Sequence, residues 1–183
     1  MAAPRRPILD ISNISASTDL RDEAITDWRH IALGWEIPTE TYSDQPKIVK
    51  TDDGAWLCCM TTGAGREGAG GQHVITTRST DSGKTWSAPV DVEPGDGPEA
   101  SYACLLKVPS GRVYCFYNHN SDNIRELKKD PEGLRGYEGP EPYPDGTVRR
   151  VDSFGHFAFK YSDDNGLSWS EKRYEVPVRE MEI

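Results

Sequence analysis

The sequence predicts an all-β protein, and three observations lead there. Short β-prone runs alternate with turn residues, with 17 Gly and 13 Pro in 183 residues. No segment sustains a helical period. The same order of strand-like runs and turns occurs twice, and that internal repeat organises everything else.

The first unit starts with the run 46–50, turns at Asp52-Asp53-Gly54 and returns through 55–60. It then crosses a loop to 73–78 and turns again through Ser79-Thr80-Asp81-Ser82-Gly83-Lys84-Thr85-Trp86. The second unit repeats this order with 102–108, Pro109-Ser110-Gly111, 113–117, 157–161 and Ser162-Asp163-Asp164-Asn165-Gly166-Leu167-Ser168-Trp169. Gly54 and Gly111 lie 57 positions apart, whereas Asp81 and Asp164 lie 83 apart. The difference of 26 falls in one loop, about 118–153, rich in Pro, Gly and charge. Long excursions inside compact units commonly carry function or lack order.

Each unit therefore reads as strand, tight turn, strand, long loop, strand, tight turn, strand. Repeated four-stranded antiparallel units are the blades of a β-propeller, and about two to three are expected here. The expected organisation is an amino-terminal segment 1–41 of coil with an outer strand at most, a first blade 42–98, and a second blade 99–183 that contains the inserted loop. At roughly 40 to 60 residues per blade the chain cannot close a ring, so it is expected to be part of a larger propeller with little activity alone. Its expected partners include the missing remainder of that propeller, or other copies through open strand edges.

Composition narrows the function. Lys and Arg total 21 against 30 Asp and Glu, a formal net charge of -9. Phosphate contacts need basic density, so nucleic acid is excluded as a partner. No apolar run approaches the roughly 20 residues of a membrane span, and residues 1–7 lack a secretory apolar segment. As written, the chain is expected to be cytoplasmic. Cys58, Cys59, Cys104 and Cys115 sit in apolar runs without disulfide or zinc spacing and read as core thiols.

The two second turns share Ser-x-Asp-x-Gly-x-Thr/Ser-Trp, carried by Ser79, Asp81, Gly83, Thr85 and Trp86 and by Ser162, Asp164, Gly166, Ser168 and Trp169. Ser and Asp oxygens bond local backbone groups, Gly accepts positive φ, and Trp packs beneath the hairpin. This pattern is the Asp-box, or BNR repeat, and the chain resembles the sialidase (neuraminidase) superfamily of Asp-box propellers. The resemblance implies a sialidase-like, carbohydrate-active protein, either an exo-alpha-sialidase (glycoside hydrolase) or a relative with other chemistry. It implies a carboxylate-binding arginine in a Phe/Tyr-Arg-Ile-Pro segment, where this chain has Ser43-Asp44-Gln45-Pro46. It also implies a catalytic aspartate in the following loop, where 63–73 carries none. The chain is similar as well to propeller-type uronate polysaccharide lyases, which use His and Tyr for proton transfer and Arg to neutralise the uronate.

Strand alternation puts the loops between second and third strands, and those entering the next blade, at one end of the sheets. The repeat turns lie at the other end. The loop end then collects Gln45, Arg66, Glu67, His73, Glu99, Asn118, His119, Asn120, His156 and Arg179. His119 and His156 flank the inserted loop and are the candidate catalytic pair, since imidazole exchanges protons near neutral pH. Arg66, Gln45, Asn118, Asn120 and Arg179 are the candidate substrate contacts for an acidic oligosaccharide. No cofactor is expected, although Asp122, Glu99 and Glu67 with loop carbonyls form a candidate structural Ca2+ site. The expected activity is cleavage of terminal acidic sugars, with uronate β-elimination preferred over sialic acid hydrolysis. The alternative is a glycan-binding propeller without catalysis.

Overall fold

The computed structural model describes residues 34–65, 70–121, 127–128, 147–148 and 155–176. β1 (Tyr42–Lys50), β2 (Trp56–Gly63), β3 (His73–Ser79) and β4 (Val90–Asp91) form one sheet in chain order. β5 (Ala100–Lys107) and β6 (Val113–His119) begin the second sheet. β7 (Leu127–Lys128) and β8 (Thr147–Val148) pair with one another inside the inserted loop, so this excursion carries a short ladder of its own. β9 (His156–Ser162) and β10 (Tyr174–Glu175) complete the second sheet in the order β5-β6-β9-β10. All pairings are antiparallel, and the described residues contain no helix. These are two consecutive sheets of an incomplete β-propeller.

The sheets stack because strand alternation gives each an apolar face turned to the other. Leu57, Cys59 and Val74 of the first sheet, with Val92 just beyond β4, form one core with Ala103, Leu105, Val113, Cys115, Tyr117 and Ala158 of the second. The innermost strand β5 packs on β1 and β2. Both innermost strands are interrupted at matching places. β1 shifts register between Asp44 and Lys47, and β5 between Ser101 and Cys104. The positive-φ residues there, Gln45 (φ 50) and Tyr102 (φ 58), are separated by the same 57 positions as the hairpin glycines.

Cys58, Cys59 and Cys115 are buried free thiols, and burial pushes the Cys58 thiol up to about 12. Cys104 departs from the expectation of core thiols and is exposed. It shares the alternation of Leu106, which turns even-numbered positions of β5 away from the first sheet.

In the Asp81 turn, one carboxylate oxygen accepts from Ser79 Oγ at 2.8 Å and the Thr85 amide at 2.8 Å, and the other from Thr85 Oγ1 at 2.6 Å. The Thr85 and Ser79 bonds hold this carboxyl at a pKa of about 2. The Asp164 turn repeats the pattern with Ser162 Oγ at 2.7 Å, the Ser168 amide at 2.9 Å and Ser168 Oγ at 2.5 Å. The tryptophans differ. Trp86 donates to Gly83 O within its own turn at 3.1 Å, whereas Trp169 reaches the first sheet and donates to Thr76 Oγ1 at 2.9 Å.

Gly166 (φ +83) sits directly on the first sheet, and a Cβ there would lie 2.5 Å from Leu57 Cδ1. Gly54 has a similar backbone (φ +85) with nothing within 4 Å of that position. Gly54→Ala therefore isolates the backbone penalty, about 1 kcal/mol. Gly166→Ala adds steric overlap with Leu57 and is expected to cost about 2–4 kcal/mol in urea unfolding. Equal costs for the two variants would contradict the observed stacking.

Candidate functional site

The β2–β3 loop, the β4–β5 link and the β6–β9 loop emerge at one end of the stacked sheets. The two hairpins and the two Asp turns lie at the other. The loop end holds a buried polar layer that includes Gln72, His73, Glu93, Glu99, Ser101, Asn118, His119 and Asn120. Backbone bonds knit the layer together. The Ala100 amide donates to Gln72 O at 3.1 Å, and the Asn120 amide to Glu99 O at 2.8 Å.

His119 and His156 are direct register partners at the end of the β6·β9 ladder. Opposed residues in an antiparallel pair share a face, with Cβ atoms about 4.5–5.5 Å apart. Gly155 is required beside them, because any Cβ there would collide with His119 O. The two rings have different surroundings. His156 is exposed, whereas His119 is 4% exposed and its Nε2 has no hydrogen-bond partner among the described residues. Burial, followed by the charges of Arg173 and Lys160, pushes the His119 pKa below the usual 6.5 despite the opposing pull of Glu93. A neutral imidazole results, and it can accept a proton.

On the same face of β6, one residue pair back, lies an ionic cluster. Glu93, in the link after β4, is 1% exposed. Arg173 grips its carboxylate with two bonds, Nε to Oε1 at 2.9 Å and an Nη to Oε2 at 2.7 Å. The Tyr117 hydroxyl donates to Oε1. Lys160 Nζ stands 3.5 Å from Oε1 and donates to Val92 O at 2.7 Å. Burial alone would raise the Glu93 pKa, but the bonds from Arg173 and Tyr117 and the charges of Lys160 and Arg173 outweigh it, leaving the carboxyl below 4.5. Desolvation and the Glu93 bond push the Tyr117 phenol well above its ordinary 10. Glu93 belongs to the first sheet's exit and its three partners to the second sheet, so the cluster ties the sheets together next to the histidine pair.

The sequence reading missed these four residues. A signal for one of them was present: Lys160 lies in the apolar run Phe157-Ala158-Phe159-Lys160-Tyr161, at a position whose alternation matches buried Ala158. Of the expected substrate contacts, Arg66 and Arg179 lie outside the described residues, as do Glu67 and Asp122 of the candidate Ca2+ set. Gln45 is exposed at the β1 bulge. Asn118 and Asn120 are buried, so the backbone layer takes them and not the open surface. His73 is also buried, with Nδ1 3.0 Å from Gly71 O and Nε2 3.6 Å from Asp91 Oδ1. Among the described residues no group of three or more His, Cys, Asp or Glu is placed to hold a metal ion. A cleft of about 470 Å³ lies at the opposite end, between Trp86 and Leu167.

No protein-family profile matches the chain, and no curated protein matches it either. Solved structures do. A Dyadobacter fermentans protein of unknown function matches at 18% identity and a TM-score of 0.48, over 76% of this chain and 37% of that one. The K499G mutant of the NanB sialidase of Streptococcus pneumoniae matches at 13% identity and 0.49, over 75% and 36%. The intramolecular trans-sialidase of Ruminococcus gnavus matches at 16% and 0.47, over 75% and 49%. The chain thus spans about a third to a half of these proteins. Its fold assignment rests on the sheet topology described above.

Glu93→Gln keeps the shape of the cluster and removes its charge, leaving Arg173 and Lys160 unneutralised between the sheets. Breaking such a pair costs about 3–5 kcal/mol near neutral pH. Because the folded carboxyl titrates below its unfolded value of about 4.3, its contribution is fully present above that value and lost as pH falls through the lower folded pKa. The stability gap between wild type and variant should therefore be constant from about pH 5 to 8 and shrink in more acid solution. A pH-independent gap would contradict the charge assignment. Separately, NMR titration of the histidine ring carbons should find His119 protonating below 6.5, and an unshifted His119 would contradict its burial beside Arg173 and Lys160.

Proposed function

We propose that the chain belongs to a sialidase-like, carbohydrate-active propeller protein that cleaves terminal acidic sugars, with β-elimination at a uronate as its chemistry. The observation that carries this reading is the pairing of His156 with His119 at the loop end, one exposed and one held neutral in a polar layer. In such an elimination a base removes the proton beside the carboxylate, a cation stabilises the developing enolate charge, and the glycosidic oxygen leaves with help from an acid. His156 is the ring a sugar can reach, and in this reading it takes the proton. Arg66 and Arg179 are the proposed carboxylate ligands, since guanidinium matches the bidentate geometry of a carboxylate. Asp44, at the edge of the β1 bulge, stands where the family resemblance implies a carboxylate-binding arginine, which favours elimination over the alternative of sialic acid hydrolysis.

The burial of His119 supports a second reading, a glycan-binding propeller in which no proton moves. The two readings separate in one experiment. A full-length propeller containing this chain is incubated with glucuronate-ended and sialylated oligosaccharides, as wild type and as His119→Gln/His156→Gln. The enzyme reading predicts an ultraviolet-absorbing unsaturated product from wild type, a loss of turnover of about 100-fold or more in the variant, and retained binding by calorimetry. Release of free sialic acid would favour the hydrolase. Binding without product in either form would establish the non-catalytic reading.

A further inference from the structure

Among the described residues four that are not glycine hold a positive φ: Gln45 (φ 50), Ser82 (φ 62), Tyr102 (φ 58) and Asn165 (φ 62). Ser82 and Asn165 stand immediately before Gly83 and Gly166 in the Asp turns, where a tight reversal demands that backbone. Gln45 and Tyr102 are a different case, because both interrupt strands and neither is a residue type that enters the left-handed region readily. A bulge with this backbone takes glycine by default. Side chains held on strained backbone concentrate where a site must present a group in one orientation.

The strain at Tyr102 is built into the contact between the two sheets. Its amide donates to Thr61 Oγ1 of β2 at 3.2 Å, and its neighbours Ser101 and Ala103 are buried, so the backbone is anchored on both sides of the strained residue. Position then gives the residue a use. Ser101 opposes Asn118, one step from the Ala100–His119 pair, and His119 in turn opposes His156. Tyr102 therefore stands near the loop end of β5, with β6 between it and β9, the strand that carries His156. Two strand spacings separate β5 from β9, about 10 Å, a span that two linked sugar residues cover and one does not. Gln45 holds the matching bulge on β1, against which β5 packs.

We infer that Tyr102 is a substrate-binding residue, its ring carrying the sugar residue next to the one on which His156 acts, with the Gln45 amide alongside to bond hydroxyls. An aromatic ring offers an apolar face to the C–H groups of a pyranose, and an amide offers both donors and an acceptor to its hydroxyls. The preferred substrate is then an acidic oligosaccharide of at least two residues and not a free uronate. This role rests on the elimination reading given above.

Calorimetry on a full-length propeller containing this chain, with glucuronate and a glucuronate-ended disaccharide as the two probes, tests that role. Wild type should bind the disaccharide about tenfold more tightly than glucuronate. Tyr102→Gly should lose that advantage while binding glucuronate as wild type does, and Tyr102→Phe, which keeps the ring, should retain it. In urea unfolding Tyr102→Gly should have a midpoint no lower than wild type, because glycine relieves the backbone, whereas loss of a packing tyrosine would lower it. Tyr102→Asn, which tolerates the same backbone, replaces the glycine variant should that one fail to fold. Disaccharide affinity unchanged in Tyr102→Gly, an equal loss in Tyr102→Phe, or a midpoint below wild type would each overturn the inference and leave the histidine chemistry untouched. A wild type that binds neither probe would overturn both.

Discussion

A carboxylate placed between two sheets is tolerated only where cations and donors converge on it, and Glu93 meets that condition through residues that all belong to the other sheet. Tyr117 comes from β6, Lys160 from β9 and Arg173 from the approach to β10. Apolar burial of Leu57, Val74 and Leu105 supplies most of the driving force for stacking, but it is non-directional. The bidentate Arg173 pair has a required geometry, as does the Trp169–Thr76 bond at the other end. Together they fix the position of one sheet on the other, and hence where the loop end of β6 and β9 stands.

The same cluster sets the electrostatics of the loop end. Arg173 and Lys160 are committed to Glu93, yet their charge still reaches His119 and, with burial, keeps it neutral. His156, its ladder partner, remains at the surface. One ring is thus structural in its surroundings and the other accessible, although the two are register partners.

Much of the fold was legible in the sequence, for reasons specific to particular residues. Ser79-x-Asp81-x-Gly83 and Ser162-x-Asp164-x-Gly166 encode their turns locally, so recurrence revealed both the unit and its strand order. The matching bulges at Gln45 and Tyr102, which the sequence did not announce, keep the 57-residue offset of Gly54 and Gly111. The Glu93 cluster was not legible, because its members lie up to 80 residues apart and meet only once the sheets stack. The difference between His119 and His156 was likewise hidden, since flanking a loop says nothing about depth. Asn118 and Asn120 read as substrate contacts in the inserted loop, but β6 extends to His119 and both asparagines are buried.

Glu93 and Arg173 join the sheets through a direct interaction. A double-mutant cycle with Glu93→Gln and Arg173→Met, read by urea unfolding at neutral pH, measures that interaction apart from the cost of either change. The expected coupling free energy is about 1–3 kcal/mol. Strictly additive effects would show that the pair does not hold the sheets together.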